Sequence, residues 1–391
     1  MNSQGQTHRP QRPGIVLLPP SLVRGEQFQL DPALWAAVSL AERELGALGG
    51  YARALEDPES VAELMLLRES ALSNGMEGGR ASLGQILWWR TDQHLEEADA
   101  SLRGELRLAA NYLEAWSSGV GALSASGYST KLVRAVHSQL FRRVRGRDTV
   151  PGKLRDSEIW IGPAGSTFET AWFVPPAPGL VPDAMSALQR FLTTGEAALP
   201  LCLKVAIAYY QLETIHPFVD GNGRVARMLV PLLLDQQPGV PAGMLSLSAF
   251  FNRDRTEHFR QLQLVRERGE WSSWFTYFLE AVAASASESL VIIEKIHTQI
   301  LEDRNSVAES LGGASVQPAL RLLKGLVAQP LQSVTSVASL TGRTFANANQ
   351  LVGKLEGMGI FKEITGRKRN RRYCYSPVVD LLAPTRTGQP T

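Results

Sequence analysis

The sequence predicts a mainly α-helical protein with one β-hairpin near its middle and a small module of helices and strands at its C-terminus. Three observations lead there. Apolar residues recur at helical spacing through most of the first three hundred positions. The stretch from Ser157 to Val174 holds the only convincing hairpin in that part, with Ile159, Trp160 and Ile161 facing Ala171, Trp172 and Phe173 across a Gly/Ser-rich turn. From Pro318 to Leu382 the chain adopts a pattern of its own: short helices, then two short strands around a basic loop. With 391 residues there is material for two or three domains.

The elements follow in order. Residues 1–14 are polar and read as a disordered tail, followed by Pro19 and Pro20. Leu34, Val38, Leu40 and Leu45 start a helix from Asp31. Further helices run near Ser60 to Ser73 and from Leu83 to about Gly119, where Gly and Ser accumulate up to Ser129. A helix over Leu132 to Val144 leads through a loop, Arg145 to Gly152, into the hairpin, which Pro175 and Pro176 close. After a helix from Pro182 to Thr193, the run Leu199 to Ile215 is apolar on nearly every face and reads as a buried central helix. Helices over Asn222 to Asp235, Arg255 to Arg268 and Trp271 to Ile300 complete this part, and Gly312 to Gln317 looks like a linker. In the last block, helices reach Ala328, span Val334 to Leu340 and run from Thr344 to Met358, with a turn at Gly342 and a cap at Gly359. Strands near Ile360 to Ile364 and Arg372 to Tyr375 end it.

Bulk numbers exclude several classes. A net charge of +2, from 40 basic and 38 acidic residues, gives no global field for nucleic acid or anionic lipid, so such binding needs a local patch. Two distant cysteines, Cys202 and Cys374, exclude a disulfide framework. The N-terminus lacks the apolar core of a signal peptide, and no run approaches the ~18 apolar residues of a membrane span. The expectation is a soluble cytoplasmic protein with no membrane partner.

One segment concentrates chemistry: His216-Pro217-Phe218-Val219-Asp220-Gly221-Asn222-Gly223-Arg224-Val225-Ala226-Arg227. Gly221 and Gly223 let backbone N–H groups converge at the start of a helix, which suits a phosphate. Arg224 and Arg227 share a helical face, and guanidinium groups pair with phosphate oxygens two bonds at a time. Asp220 supplies a hard oxygen, and magnesium on phosphates typically takes one or two carboxylates. His216 titrates near neutrality and can accept a proton from an attacking hydroxyl. A metal site of His216 and Asp220 is an alternative, with no third ligand in the neighbouring sequence.

The segment resembles the Fic family signature, HPFx[DE]GNGRxxR, at every defined position. That resemblance implies a helical Fic-type core that binds ATP and Mg2+ and moves AMP onto a Ser, Thr or Tyr hydroxyl of a protein. It implies His216 as general base and Asp220 as magnesium ligand. Asn222 with the backbone of Gly221 and Gly223 would hold the α-phosphate, Arg224 the β-phosphate and Arg227 the γ-phosphate. The intact glycine loop and second arginine favour nucleotidyl transfer over the kinase-like branch.

Other stretches extend the resemblance. Ser73-Asn74-Gly75-Met76-Glu77-Gly78 matches the family's inhibitory pattern, [ST]xxxE[GN]. It implies that Glu77, four residues from Ser73, occupies Arg227 and keeps the γ-phosphate out. The hairpin is similar to the family's flap, which would add a strand to the target. Where many relatives carry adjacent tyrosines near the adenine, this chain has His258 and Phe259, the candidate base pocket. Pro318 to Leu382 resembles a winged helix, and its loop carries Arg367, Lys368, Arg369, Arg371 and Arg372 within seven residues, as possible contacts to DNA phosphates.

The expected organisation is a helical N-terminal domain over 15–120 with the inhibitory motif, a catalytic core over 121–285, a helical linker over 286–317, the winged helix over 318–382 and a tail over 383–391. Expected partners are ATP, an unidentified target protein, the chain itself as a modification substrate, a second copy in a dimer, and DNA. Two alternatives stand beside the adenylyltransferase: a DNA-binding regulator whose core senses nucleotide, and a Fic enzyme that transfers UMP, phosphocholine or phosphate.

Overall fold

A computed structural model describes residues 31–91, 99–144, 149–163, 165–194, 199–237 and 239–383. The expected tail over 1–14, and all but the first residue of that over 383–391, lie outside them. The described residues are mainly helical, and they divide into two compact units.

The first unit comprises residues 31–42, 114–236 and 254–280. It takes the start of α1 (Pro32–Ala52), the end of α4 (Ala100–Ser126) and the start of α11 (Trp271–Ser310). Wholly within it are α5 (Thr130–Leu140), α6 (Val181–Thr193), α7 (Leu201–Ile215), α8 (Asn222–Leu234) and α10 (Arg255–Arg268). As its all-round apolarity predicts, α7 is central: it packs on α6 and α8, and every residue from Val205 to Ile215 is buried. Trp274 seals one side, donating its indole N–H to the Ala206 carbonyl at 3.0 Å. Helix α4 continues to Ser126, well into the Gly/Ser-rich stretch expected to end it. Gly119 is needed inside that helix because a Cβ there would stand 2.8 Å from Leu232 of α8, so close packing outweighs helix propensity.

The hairpin is a correction. The stretch from Ser157 to Val174 holds one antiparallel bridge, Ile161 to Phe173, in place of a ladder. Ile161 and Phe173 exchange backbone bonds at 2.8 and 3.1 Å, while Trp160 folds over the turn and donates to the Ser166 carbonyl at 2.7 Å. Gly162, Pro163 and Gly165 break the extended backbone right after the bridge, which leaves no room for further pairs.

The second unit comprises residues 43–113, 237–253 and 281–383. It holds α2 (Pro58–Met76), α3 (Leu83–Thr91), α9 (Leu247–Arg253), α12 (Val316–Ala328), β1 (Leu331–Ser333), α13 (Val334–Thr341), α14 (Phe345–Gly357), β2 (Lys362–Glu363), β3 (Arg372–Cys374) and α15 (Ser376–Leu381). The three strands form an antiparallel sheet in the order β1-β3-β2, with Leu331 opposite Cys374 and Lys362 opposite the same residue on the other side. The elements of this block follow in the order α12, β1, α13, α14, β2, β3, α15. The C-terminal block is not strung out behind a linker: α12 packs on α2, and β1 on α3. Buried polar pairs fix these contacts. Buried Arg68 on α2 donates to the Leu382 carbonyl at 3.2 Å and pairs with Glu288 of α11. Buried Glu69 accepts from the Ser248 N–H at 3.1 Å and its hydroxyl at 2.6 Å.

Helix α11 runs to Ser310, ten residues further than expected. By length and composition it could cross a membrane, with a mean hydropathy of 1.3 over its most apolar stretch, but half of that stretch is buried within the protein. Near its far end Asp303 accepts from the Tyr375 hydroxyl at 2.6 Å. Burial raises the pKa of both groups, and the shared proton raises that of the tyrosine further. Tyr375→Phe leaves the Asp303 oxygen short of a partner in a dry site. It should destabilise this unit by about 1–3 kcal/mol, read as a lowered urea midpoint.

Candidate functional site

The twelve-residue segment forms one corner of the first unit. Helix α7 ends at Ile215, and His216 caps it in the left-handed conformation, φ 50°, with its N–H on the Leu212 carbonyl. This turns the imidazole back over the helix end, where Nδ1 lies 3.3 Å from the Glu213 carbonyl. A carbonyl only accepts, so Nδ1 carries the proton and the lone pair lies on Nε2. Five residues on, Gly221 is also left-handed, φ 82°, and starts α8 with no side chain capping its N-terminus. A Cβ at Gly221 would stand 2.3 Å from the Phe141 ring, so glycine is required twice over.

Asn222 does not point its amide outward. Its Oδ1 accepts from the Phe218 N–H and its Nδ2 donates to the Phe218 carbonyl, both at 2.8 Å, which closes the loop on itself. Asp220 is half-buried, accepts from the Gly221 N–H at 2.6 Å and lies 3.6 Å from Nη1 of Arg224. Arg224 and Arg227 are both buried, one helical turn apart on α8. Among the described residues no group of three or more His, Cys, Asp or Glu side chains could hold a metal ion. Asp220 offers one hard carboxylate at the start of α8, a donor set that suits magnesium only together with oxygens from elsewhere.

Three side chains that sequence reasoning did not single out hold this loop from behind. Fully buried His137 of α5 stacks on Phe218, ring centroids 3.8 Å apart and 10° from parallel. Its Nε2 donates to the Asp220 carbonyl at 3.1 Å, and its Nδ1 accepts from the Gly152 N–H at 2.8 Å. Burial pushes its pKa down to about 4 despite the pull of Asp220, so it is neutral at physiological pH. Buried Arg155 donates to the carbonyls of Ile215 at 3.2 Å and His216 at 2.8 Å and to that of Pro176, while its own N–H reaches the Pro217 carbonyl at 2.9 Å. Arg266 of α10 donates to the Glu213 carbonyl at 3.1 Å and lies 3.6 Å over the Phe173 ring, joining the bridge segment to the base of His216. His137 sits mid-helix on an apolar face, where sequence alone suggests only a core histidine. Arg155 lies just after the loop that leads into the bridge segment, where sequence alone does not suggest a clamp.

Several of the other expected residues belong to the second unit. Ser73 is buried near the end of α2, and Glu77 is the exposed C-cap of that helix, both in the second unit. His258 corrects the base-pocket expectation. It is 2% exposed, its Nε2 is 3.1 Å from the Tyr209 hydroxyl, and it sits among Trp274 and Tyr277, as a core residue of α10. Phe259 beside it is 39% exposed and remains able to stack on a ligand. Arg367, Lys368 and Arg369 are exposed, with Arg371 and Arg372 half-buried, in the second unit.

Comparison with known proteins matches two family models, described as "Fic/DOC family" over residues 127–234 and "Fic/DOC family N-terminal" over 35–121. The chain belongs to the Fic/DOC family. Among curated relatives, the protein adenylyltransferase Fic of Drosophila sechellia is 31% identical over 132 residues, 33% of this chain and 24% of that protein. Protein adenylyltransferase fic-1 of Caenorhabditis briggsae is 28% identical over 176 residues, 44% of this chain and 32% of that protein. This Fic chain therefore spans only about a quarter to a third of their lengths. Among solved structures, a Fic family protein from Desulfovibrio desulfuricans G20 matches 93% of the chain and 99% of its own, at a TM-score of 0.56 and 15% identity. A Fic domain containing signaling protein from Bacteroides thetaiotaomicron VPI-5482 matches 67% and 97%, at 0.51 and 18%. These likenesses concern the fold alone. The first family model covers the loop, α8 and His137 of this Fic core.

Two outcomes follow from the loop. Gly221→Ala combines a strained backbone with an aromatic clash and should cost about 2–5 kcal/mol, read by chemical denaturation. His137 makes stability depend on pH with a definite sign. Its folded pKa lies below the unfolded ~6.5, so the unfolded chain binds more protons in between. Stability from this group is present above pH ~6.5 and is lost as pH falls toward about 4, on the order of 3 kcal/mol in all. His137→Gln, which keeps a donor and an acceptor but does not titrate, should flatten that part of the profile. An equal pH dependence in both proteins would show that other groups set it.

Proposed function

We propose that this protein is an adenylyltransferase that moves AMP from ATP to a hydroxyl side chain of a protein. The observation that carries this reading is that His216, whose Nδ1 lies 3.3 Å from the Glu213 carbonyl, and the N-terminus of α8, which no side chain caps, belong to one short corner of the chain. In this reading Nδ1 donates to that carbonyl, Nε2 is the base, and the helix start takes the phosphates. The names of the curated relatives support it as well.

In this reading the triphosphate lies at the N-terminus of α8, with Arg224 and Arg227 on its outer phosphates and the Gly221–Gly223 backbone around the inner one. Asn222 contributes by closing the loop, since its amide is committed to Phe218. Asp220 would hold Mg2+, which supplies charge neutralisation on the phosphates when bound. The target hydroxyl gives its proton to Nε2 of His216 as its oxygen bonds the α-phosphorus. The bond from that phosphorus to the bridging oxygen breaks, and pyrophosphate leaves. Arg266 and His216 share the Glu213 carbonyl, so the ring is aimed before substrate arrives.

The inhibitory role of Glu77 rests on its sequence pattern and belongs to the same proposal. The test is intact mass after incubation with ATP and Mg2+, for wild type, Glu77→Gly and Glu77→Gly/His216→Ala. The expected result is one or more AMP adducts on Glu77→Gly, with far less on wild type and none on the double variant. Equal labelling of wild type and Glu77→Gly would remove the inhibitory assignment, and labelling of the double variant would remove His216 as base. A phosphate-sized adduct would move the chain to phosphoryl transfer. Nucleotide binding without any adduct, on the chain or on proteins of a lysate, would favour a nucleotide sensor.

A further inference from the structure

The C-terminal module concentrates positive charge in a way the whole chain does not. Between Arg343 and Arg372 stand eight Lys and Arg against two Glu, a surplus of six charges in a protein whose net charge is +2. The two acids do not cancel the cations of the loop. Glu363 turns inward, its carboxylate accepting the N–H groups of Thr365 and Gly366, both at 2.8 Å. Glu356 lies toward the far end of α14. Left-handed Gly366 and Asn370, φ 63° and 54°, curl the loop so that Arg367, Lys368 and Arg369 are all exposed.

This loop is fastened to α14. Arg371 donates to Oδ1 of Asn349 at 3.1 Å and lies 5.4 Å from the Tyr373 ring, so the exposed cations and the helix form one surface. Helix α14 buries Ala348, Leu351, Val352 and Leu355 and presents Asn347, Gln350 and, at its first turn, Phe345 at 61% exposure.

We propose that this surface binds duplex DNA, with the N-terminal half of α14 in the major groove and the loop 367–369 on the flanking backbone. The major groove, about 12 Å wide, admits an α-helix. Asn and Gln amides match the adenine edge, and an exposed Phe suits a thymine methyl. Three exposed cations beside them fit phosphates, which position without specifying. An anionic membrane would need the cations but has no use for the amides. Duplex RNA closes its major groove to such a helix. The proposal does not depend on the adenylyltransferase reading.

The test uses the full chain and a fluorescent duplex of random sequence, with anisotropy read at several salt concentrations. Wild type should bind and weaken steeply between ~50 and ~200 mM salt. Arg367→Ala/Lys368→Ala/Arg369→Ala should weaken binding at least tenfold and lower the log–log salt slope by about 3. All three residues are exposed, so an unchanged circular dichroism melt separates this loss from misfolding. Asn347→Ala/Gln350→Ala should leave random-duplex affinity within about twofold while removing the preference for duplexes enriched by selection from a random pool. Failure of wild type to bind at low salt, or an unchanged triple variant, overturns the proposal. So does equal competition by duplex RNA, or stronger retention by phosphatidylserine vesicles than by DNA.

Discussion

The corner that holds the string from His216 to Arg227 depends on a buried clamp on its backbone carbonyls. A loop with two glycines has many conformations open to it, and a phosphate cradle works only if its donors are already in place. Arg155 removes that freedom by holding the carbonyls of Ile215 and His216, with its own N–H on Pro217, while His137 holds that of Asp220. A buried guanidinium is costly, and burial lowers the pKa of Arg155 accordingly. Its set of carbonyl partners offsets this, because each is a group that would otherwise be dry and unsatisfied. His137 works in the opposite way, as a neutral ring with one donor and one acceptor, both used.

The clamp also joins segments that are distant in sequence. Gly152, which gives its N–H to His137, and Pro176, whose carbonyl accepts from Arg155, flank the Ile161–Phe173 bridge on either side. Arg266 completes the circuit through Phe173 and the Glu213 carbonyl. The bridge segment itself contributes little pairing, and it leaves Trp172 62% exposed. Its place is set by what lies beneath it rather than by a sheet.

Much of this was legible in the chain. The all-round apolarity of Leu201–Ile215 marked a central helix, and the string from His216 to Arg227 marked the site, because each residue type there has a chemical use at that spacing. Harder to read were features made by tertiary packing. A three-residue strand such as Leu331–Ser333 is too short for a period to declare itself, and α4 keeps its helix through glycines because Leu232 needs the space. His137 and Arg155 were hidden for a related reason. Their partners are main-chain carbonyls, which leave no trace in side-chain patterns. His258 misled in the other direction: adjacency to Phe259 suggested a ligand pocket, but successive helical residues point about 100° apart, one into the core and one out.

The left-handed backbone at His216 has a consequence for how such a chain is altered. A helix ends there in a conformation that glycine adopts without penalty and histidine does not. Selection for a more robust fold would therefore drift toward glycine at this position and gain stability with each step. The same drift would erase the imidazole to which the proposed reaction gives the hydroxyl's proton. On the proposed reaction, thermal hardiness and turnover thus pull on one codon in opposite directions, and an engineer ranking variants by melting temperature alone would collect proteins that lack this imidazole.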